Sequence, residues 1–314
     1  MDGHGTPDHG RRMVGHHAHE LVGSAICNGS FGEVLQGVQE NGQKFLVNLK
    51  IKNYSRATVY LSESTYRVLN ERHYWKSYQL VRKLVKQLGY EYDCYIGLQS
   101  NVPIGKGLSS STADMVASAK AVGNALSIII DNEFLAKEIS AIEPNDGLHY
   151  PGTSFYEHVT GKLIHNIPFI PQFKIVGVDF GGEVDTLAFN RSGKSYDAED
   201  RMQFERLIED LKDSYRTQDA ARIAKVATQS SFLSQKILYK PYLEKFLELS
   251  QSCSALGVTN THSGTYLGMI FDRELPDYSE VYRKVNAEFK NVEISLFETV
   301  TFWGGGGMPW PVTI

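Results

Sequence analysis

A short segment rich in glycine and serine holds the residues best suited to phosphate chemistry. Residues 101–114 read Asn-Val-Pro-Ile-Gly-Lys-Gly-Leu-Ser-Ser-Ser-Thr-Ala-Asp. Glycine lets a backbone approach a ligand closely, and the first turn of a helix offers unpaired N–H groups and a positive dipole end. Serine hydroxyls add hydrogen-bond donors and a candidate Mg²⁺ ligand. We therefore predict that this segment binds phosphate groups.

The sequence on both sides of this segment predicts the elements that would position it. Cys94, Ile96 and Leu98 alternate with less apolar residues, which is typical of a strand. Apolar residues from Met115 to Leu126 recur at helical spacing. The predicted order of strand, glycine-rich loop and helix suits a phosphate site at the start of the helix.

Two common phosphate-binding loops are excluded by the spacing. A Walker A loop has serine or threonine after its Gly-Lys pair, whereas Lys106 is followed by Gly107. A dinucleotide-binding loop has a third glycine where this chain has Ser110. The remaining structural alternative is a glycine-rich turn that binds no ligand.

The segment resembles the second motif of the GHMP kinases, the superfamily of galactokinase, homoserine kinase and mevalonate kinase. That motif is a proline, three residues, Gly-Leu, a small residue and two serines, matched here by Pro103, Gly107, Leu108, Ser110 and Ser111. Three other segments are similar to the L-threonine kinase branch of the superfamily, and they cover residues 27–37, 142–146 and 257–264. The four matches occur in order along most of residues 24–270.

The resemblance implies an α+β, two-domain GHMP kinase fold with the active site between the domains. We predict an N-terminal ATP-binding domain over 21–167 and a C-terminal domain over 168–314, divided near the proline-containing segment 166–171. Residues 1–20 are polar and are interpreted as a disordered leader or an added tail. Metal binding by the histidines of that leader is the weaker alternative.

Individual elements are predicted from apolar periodicity and turn residues. Asn41-Gly42 indicates a hairpin, followed by a strand over 45–51 and a separate strand over 56–61. Residues 67–88 are predicted to form a helix that ends at Gly89. Later strands are predicted at 173–180, 265–271 and 292–297, and later helices near 201–213, 217–236, 240–252 and 278–289.

The resemblance also implies the residues of an ATP site. Contacts to the ATP phosphates are expected from Pro103, Gly105, Lys106, Gly107, Leu108, Ser109, Ser110 and Ser111. Ser111 matches the family serine that reaches Mg²⁺, and Glu143 is the second predicted metal ligand, with Glu138 as its alternative. Taken alone, Lys106 could equally be a solvated lysine, and Ser109 or Ser110 could serve as the helix N-cap.

Catalytic and substrate residues are predicted from the same matches. Asp146 matches the family aspartate that acts as a base, and Lys106 is the second predicted catalytic residue. The alternative for Asp146 is an ordinary turn residue, since it lies between Pro144 and Gly147. Substrate contacts are predicted for Glu33, Asp114, Asp146 and His262. Asp114 could instead interact only with the helix dipole, and His262 could be structural.

Composition limits the function classes further. The net charge of −4 over 314 residues provides no basic field for nucleic acid and no polybasic membrane patch. The longest aliphatic run is too short to span a bilayer. Three widely separated cysteines favour reduced thiols and a cytoplasmic location. A homodimer is possible, and the glycine-rich segment 303–307 is interpreted as a mobile tail.

These features together predict an ATP- and Mg²⁺-dependent kinase that phosphorylates the side-chain hydroxyl of a small amino acid, with L-threonine as the best guess. Asn28-Gly29 and residues 147–150 depart from the threonine-kinase pattern where a substrate would bind. Serine, homoserine or another specialised alcohol therefore stay open as acceptors. The alternative from another class is a regulator with this fold that binds a metabolite without catalysis.

Overall fold

The computed structural model describes residues 20–63, 74–181, 195–262, 264–274 and 277–300. They form a mixed α+β structure with two antiparallel sheets, which confirms the predicted fold class. The leader up to residue 19 and the glycine-rich segment 303–307 lie outside the described residues, so their predictions stay untested.

The first sheet has five strands, and a long hairpin forms most of it. Its strands are β1 (Glu20–Val38), β2 (Lys44–Ser62), β3 (Asp93–Ser100), β4 (Thr153–Glu157) and β5 (Lys162–Ile167), in the order β1-β2-β4-β5 with β3 paired to β2. The predicted turn at Asn41-Gly42 joins β1 to β2, and Gly42 adopts φ +85°. Only glycine adopts that backbone conformation readily.

The prediction of two separate strands over 45–51 and 56–61 is wrong, because β2 is continuous. Polar residues between them suggested a break, yet Ser55 and Tyr54 pair with Cys27 and Asn28 of β1. The register shifts three times between Asn28 and Leu35; the extra residues of the first shift lie in β2, at 51–53, and those of the other two lie in β1. Backbone pairing does not depend on side-chain polarity, so the apolar pattern could not reveal this continuity.

Three helices cover one face of the first sheet: α1 (Trp75–Gln87), α2 (Ser110–Leu126) and α3 (Asn132–Ser140). Helix α2 contacts both strands of the hairpin and is buried along most of its length. A hydrophobic cluster fills the space between α1, α2 and the sheet, and it includes Val59, Leu84 and Val116. The start of α2 is thereby held rigidly over the sheet.

The second sheet has the order β7-β8-β6-β9. Its strands are β6 (Lys174–Asp179), β7 (Gly257–Asn260), β8 (Tyr266–Phe271) and β9 (Glu293–Glu298). Its helices are α4 (Ala198–Thr217), α5 (Ala220–Leu233), α6 (Leu243–Ser252) and α7 (Tyr278–Glu288). The later strands and helices predicted from the sequence are confirmed, with shifts of a few residues at their ends.

One hydrophobic core joins the two sheets. It brings together Phe31 and Phe45 of the first sheet, Ile175 and Phe297 of the second, and Phe204 of α4. The chain passes from one sheet to the other between β5 and β6, where the domain boundary is predicted. The division into two domains stays a prediction. Within the described residues, no helix is long and apolar enough to cross a membrane.

Candidate active site

The predicted phosphate loop connects β3 to α2 and has an unusual backbone. Gly105, Gly107 and Ser109 all adopt positive φ, at +73°, +75° and +63°. Alternation of left-handed residues with ordinary ones turns successive N–H groups toward one concavity, a geometry that binds anions. The loop therefore has the backbone form expected of a phosphate cradle.

Ser109 adopts a left-handed backbone conformation at the start of a helix, which is not the usual place for one. In the described structure the other four non-glycine residues with positive φ follow the ends of helices, where this conformation is common: Ser127, Gln218, Ser254 and Asn291. Ser109 precedes α2, and its hydroxyl makes no capping bond. It lies 3.0 Å from Ser30 Oγ instead. The capping interpretation is therefore wrong for Ser109, and such strain is typical of functional sites.

The loop is clamped between β1 and the segment that follows β7. The Leu108 carbonyl accepts a hydrogen bond of 3.2 Å from the Ser30 N–H. On the other side, a Cβ placed on Gly264 would lie 1.9 Å from the Lys106 carbonyl oxygen. A Cβ on Gly107 would lie 2.7 Å from the Gly264 backbone, whereas one on Gly105 would meet nothing within 4 Å. The loop is thus tightly packed at Gly107 and open at Gly105.

Lys106 forms an ion pair with the second sheet. Its ammonium lies 2.6 Å from Asp179 Oδ2, at the end of β6, and its side chain is 30% exposed. The hydrogen bond that Lys106 donates to Asp179 raises the pKa of Lys106. Burial would raise the pKa of Asp179, but bonds from Lys106, Thr265 and the Gly181 N–H bring it below its usual value. Lys106 is therefore a positioned cation and not a freely solvated lysine.

Ser111 and Glu143 meet beside the loop. The Ser111 hydroxyl donates to one carboxylate oxygen of Glu143, and Lys76 donates to the other. The alternative ligand, Glu138, lies elsewhere, since it contacts Lys83 and Gln87 of α1. A hydroxyl and a carboxylate are ligands of the kind that Mg²⁺ takes beside substrate phosphates. These residues fit a magnesium site, and their assignment to metal stays a prediction.

Asp146 lies in a turn that neighbouring strands hold in place. Its carbonyl accepts a bond of 2.8 Å from the Asn48 amide of β2. Its carboxylate faces the start of α2, 3.5 Å from the Thr112 hydroxyl. Burial raises the pKa of Asp146; the Ser109 hydroxyl lowers it, and the charge of Glu143 raises it further. Asp146 is thus both a turn residue and a carboxylate aimed at the phosphate loop.

Glu33 is a buried carboxylate in the irregular part of β1. It is 2% exposed, and its Oε2 atom has no hydrogen-bond partner. Burial raises its pKa well above the usual value, and the negative charge of Asp146 adds to this shift. A backbone hydrogen bond from His262 lowers this pKa, but the buried oxygen without a partner is unfavourable unless a ligand satisfies it. Glu33 therefore fits the predicted contact with a substrate ammonium group.

His262 lies at the site but is held by neighbours. Its Nδ1 contacts the Gln36 side-chain oxygen, and its ring centre is 5.3 Å from that of His158. Burial lowers its pKa to about 3, so the ring is neutral near pH 7. A neutral, hydrogen-bonded histidine suits a positioning role, and its predicted substrate contact stays untested.

Asp114 is the predicted site residue that the structure keeps apart. It accepts a hydrogen bond from the Ser55 hydroxyl of β2. No contact among the described residues joins it to Glu33, Glu143 or Asp146. The first turn of α2 contains no acidic residue, so Asp114 also lies beyond the reach of a strong helix-dipole effect. Its predicted substrate contact stays untested.

Sequence reasoning missed several residues that shape this site. Asp179 anchors Lys106, Asn48 anchors the turn of Asp146, and Lys240 donates to the Gly264 carbonyl beside the phosphate loop. None belongs to a recognisable motif. The only signal in the sequence was a polar residue inside an otherwise apolar strand, as for Asn48 between Val47 and Leu49.

Comparisons with known proteins agree with this geometry. Residues 74–152 match the model of the family described as GHMP kinases N terminal domain. An L-threonine kinase from Citrobacter freundii is 28% identical over 261 residues, covering 81% of this chain and 88% of that protein. Another, from Salmonella typhimurium, is 25% identical over 273 residues, covering 84% and 88%.

The fold is shared with solved structures. Homoserine kinase from Cytophaga hutchinsonii has a TM-score of 0.67 and 13% identity, over 90% of this chain and 95% of that one. At this identity the likeness supports the fold alone. The matched family segment contains the phosphate loop, Glu143 and Asp146, and the curated relatives extend along both sheets. The chain therefore contains a GHMP kinase N-terminal domain and is a phosphotransferase.

Proposed function

We propose that this protein is an ATP-dependent kinase that transfers a phosphoryl group to the side-chain hydroxyl of a small amino acid, L-threonine first. The observation that carries the proposal is the unpartnered Oε2 of Glu33, buried close enough to Asp146 for their charges to interact. A phosphate loop alone would suit any acceptor. A buried carboxylate oxygen without a partner favours an acceptor that brings a positive charge.

The phosphate end of the site would use the loop backbone. Its N–H groups and Lys106 would contact the ATP phosphates, and Ser111 with Glu143 would hold Mg²⁺. When bound, Mg²⁺ neutralises charge on the phosphate oxygens. Lys106 would exchange some of its contact with Asp179 for a phosphate oxygen, since both are anionic partners of similar geometry.

The acceptor end would use Asp146 as a base. Its carboxylate would take the proton of the acceptor hydroxyl as the hydroxyl oxygen attacks the phosphorus atom. Partial burial keeps the pKa of Asp146 above the usual aspartate value, which makes the carboxylate a better proton acceptor than an exposed one. The fixed turn around Asp146 would keep this group oriented before substrate binds.

The choice of L-threonine rests on the two curated relatives, which are L-threonine kinases. Their identity to this chain is 28% and 25%, so serine and homoserine are tested beside threonine. Each of these acceptors has the ammonium group that Glu33 would bind, and they differ only around the hydroxyl.

The proposal is tested by ADP release with Mg·ATP and single acceptors. The panel is L-threonine, L-serine, L-homoserine, and L-2-aminobutyrate, which has threonine's shape without its hydroxyl. We expect turnover with threonine that mass spectrometry identifies as O-phosphothreonine, and none above background with 2-aminobutyrate. Turnover only with a sugar or a hydroxy acid would overturn the acceptor class. Tight ATP binding without any turnover would favour a regulator.

A further inference from the structure

Lys240 is a buried lysine outside every motif in the sequence. It lies between a short 3-10 turn (Ser234–Lys236) and α6, and it is 8% exposed. The Gln235 side chain fixes its backbone, accepting from its N–H at 2.6 Å and donating to its carbonyl at 3.0 Å. The ammonium therefore has a well-defined starting point, and only its side chain has freedom to move.

The ammonium group of Lys240 reaches the edge of the phosphate loop. It donates to the carbonyl of Gly264, the residue whose backbone packs against Lys106 and Gly107. Burial lowers the pKa of Lys240 to about 8, and the charge of Glu33 opposes this shift. Lys240 thus places a partly dehydrated cation beside the site, which is unfavourable without a further anionic partner.

Glu33 and Lys240 form an unusual pair of buried charges. The Glu33 carbonyl accepts a bond of 3.0 Å from the Thr259 hydroxyl, and the Lys240 ammonium bonds the Gly264 carbonyl further along the same segment, so the two residues approach one region of the chain. Their charges also influence each other's pKa. They nevertheless form no ion pair within the described residues, and Glu33 Oε2 has no partner. Opposite charges that are buried together normally pair directly or bind something between them. The ammonium and carboxylate of an α-amino acid, attached to one carbon, match such a separated pair.

We infer that Lys240 binds the α-carboxylate of the acceptor while Glu33 binds its α-ammonium, so that the site selects free α-amino acids. The inference rests on the proposed function. Glu33 pairs with Asn48 of β2, whose amide bonds the Asp146 carbonyl, so Asp146 lies near Glu33 and would meet the side-chain hydroxyl of the same molecule. Three charged groups would then orient one small substrate. The contacts of Lys240 and Glu33 would fix the position of its hydroxyl relative to Asp146.

A purely structural role for Lys240 makes a different prediction. As a tether for Gly264 it would support the phosphate loop for every acceptor and for ATP alike. As a carboxylate ligand it acts only on acceptors that have a carboxylate. Two probes separate these contributions: 1-amino-2-propanol is threonine without its carboxylate, and 3-hydroxybutyrate is threonine without its ammonium group.

The experiment compares kcat/KM for the three acceptors in the wild type, Lys240→Met and Glu33→Gln. Lys240→Met should lower kcat/KM for threonine about 10–100-fold, the usual range for a lost charged hydrogen bond. It should leave the value for 1-amino-2-propanol and the KM for ATP nearly unchanged. Glu33→Gln should instead remove the preference for threonine over 3-hydroxybutyrate. Lys245→Met, at an exposed lysine of α6, is the matched control and should retain wild-type values.

Equal losses for threonine and 1-amino-2-propanol in Lys240→Met would overturn the inference and leave a structural tether. If Lys240→Met fails to fold, the inference is tested with the wild type alone. Equal kcat/KM values of the wild type for threonine and 1-amino-2-propanol exclude a carboxylate site. The failure of the proposed function looks different, because then no amino acid in the acceptor panel is phosphorylated at all, and the inference falls with it.

Discussion

The phosphate loop and the turn that carries Asp146 meet at one site, but different contacts determine their shapes. The loop takes its shape from residues within it, since Gly105 and Gly107 permit positive φ and α2 begins directly afterwards. The turn takes its shape from distant strands. Asn48 of β2 bonds its backbone, and a Cβ on Gly147 would lie 2.8 Å from Tyr156 of β4.

This difference follows from what each region contributes. A phosphate cradle uses backbone N–H groups, which a local conformation is sufficient to orient. A base uses one side-chain carboxylate, and its position relative to the acceptor depends on the elements packed beneath it. Substitutions in the loop should therefore affect ATP and stability, whereas substitutions in the turn should affect the chemical step.

The largest expected effect is that of Asp146→Asn. The side chains have nearly the same shape, so the turn and its Asn48 contact should persist, while the basic carboxylate is lost. We expect kcat to fall about 10²–10⁴-fold, with little change in the KM for ATP. Steady-state kinetics in both substrates measures this. A rise confined to the acceptor KM would show that Asp146 binds substrate without acting as a base.

The next prediction compares alanine substitutions at two glycines of the loop. Gly105→Ala introduces only the strain of a positive φ, about 1–2 kcal/mol, because a Cβ there meets nothing within 4 Å. Gly107→Ala adds a contact of 2.7 Å with the backbone of Gly264, which cannot move aside as a side chain can. We expect Gly107→Ala to lower Tm further and to raise the KM for ATP more. Equal effects would mean that the packing of Gly107 against Gly264 adds nothing to the local backbone strain.

The third comparison concerns Lys50, which lies beneath the segment that follows the Asp146 turn. This buried lysine of β2 donates to the Tyr150 carbonyl, and burial lowers its pKa to about 7 from 10.5. Between those values the unfolded chain binds more protons than the folded one. The free energy of unfolding therefore gains up to about 1.4 kcal/mol per pH unit as pH rises.

Lys50→Met removes this pH dependence, because methionine does not titrate. Urea unfolding at several pH values between 7 and 10 should show the wild type gaining stability relative to the variant as pH rises. Lys52→Met, at an exposed position of the same strand, serves as the control. Parallel pH profiles for the wild type and Lys50→Met would show that Lys50 is not neutralised by burial.

Much of the fold was accessible from the sequence because local signals are strong there. Apolar periodicity predicted α2 and the strands of the second sheet, and Asn41-Gly42 predicted the hairpin. The continuity of β2 was missed because Tyr54 and Ser55, within the polar segment 52–55, remain paired with β1. For the site, the loop residues were predicted from their own types, whereas the ion pair between Lys106 and Asp179 joins positions far apart in sequence.

The sequence by itself determined the phosphate loop, its place between a strand and a helix, and the family resemblance, because these depend on glycines, serines and spacing within one short segment. Only the tertiary structure decided which charges face one another. It brought Glu143 to Ser111, turned Glu138 toward α1, and placed Lys240 near Glu33. Electrostatic partners depend on distance and burial, and those are properties of the packed sheets and helices.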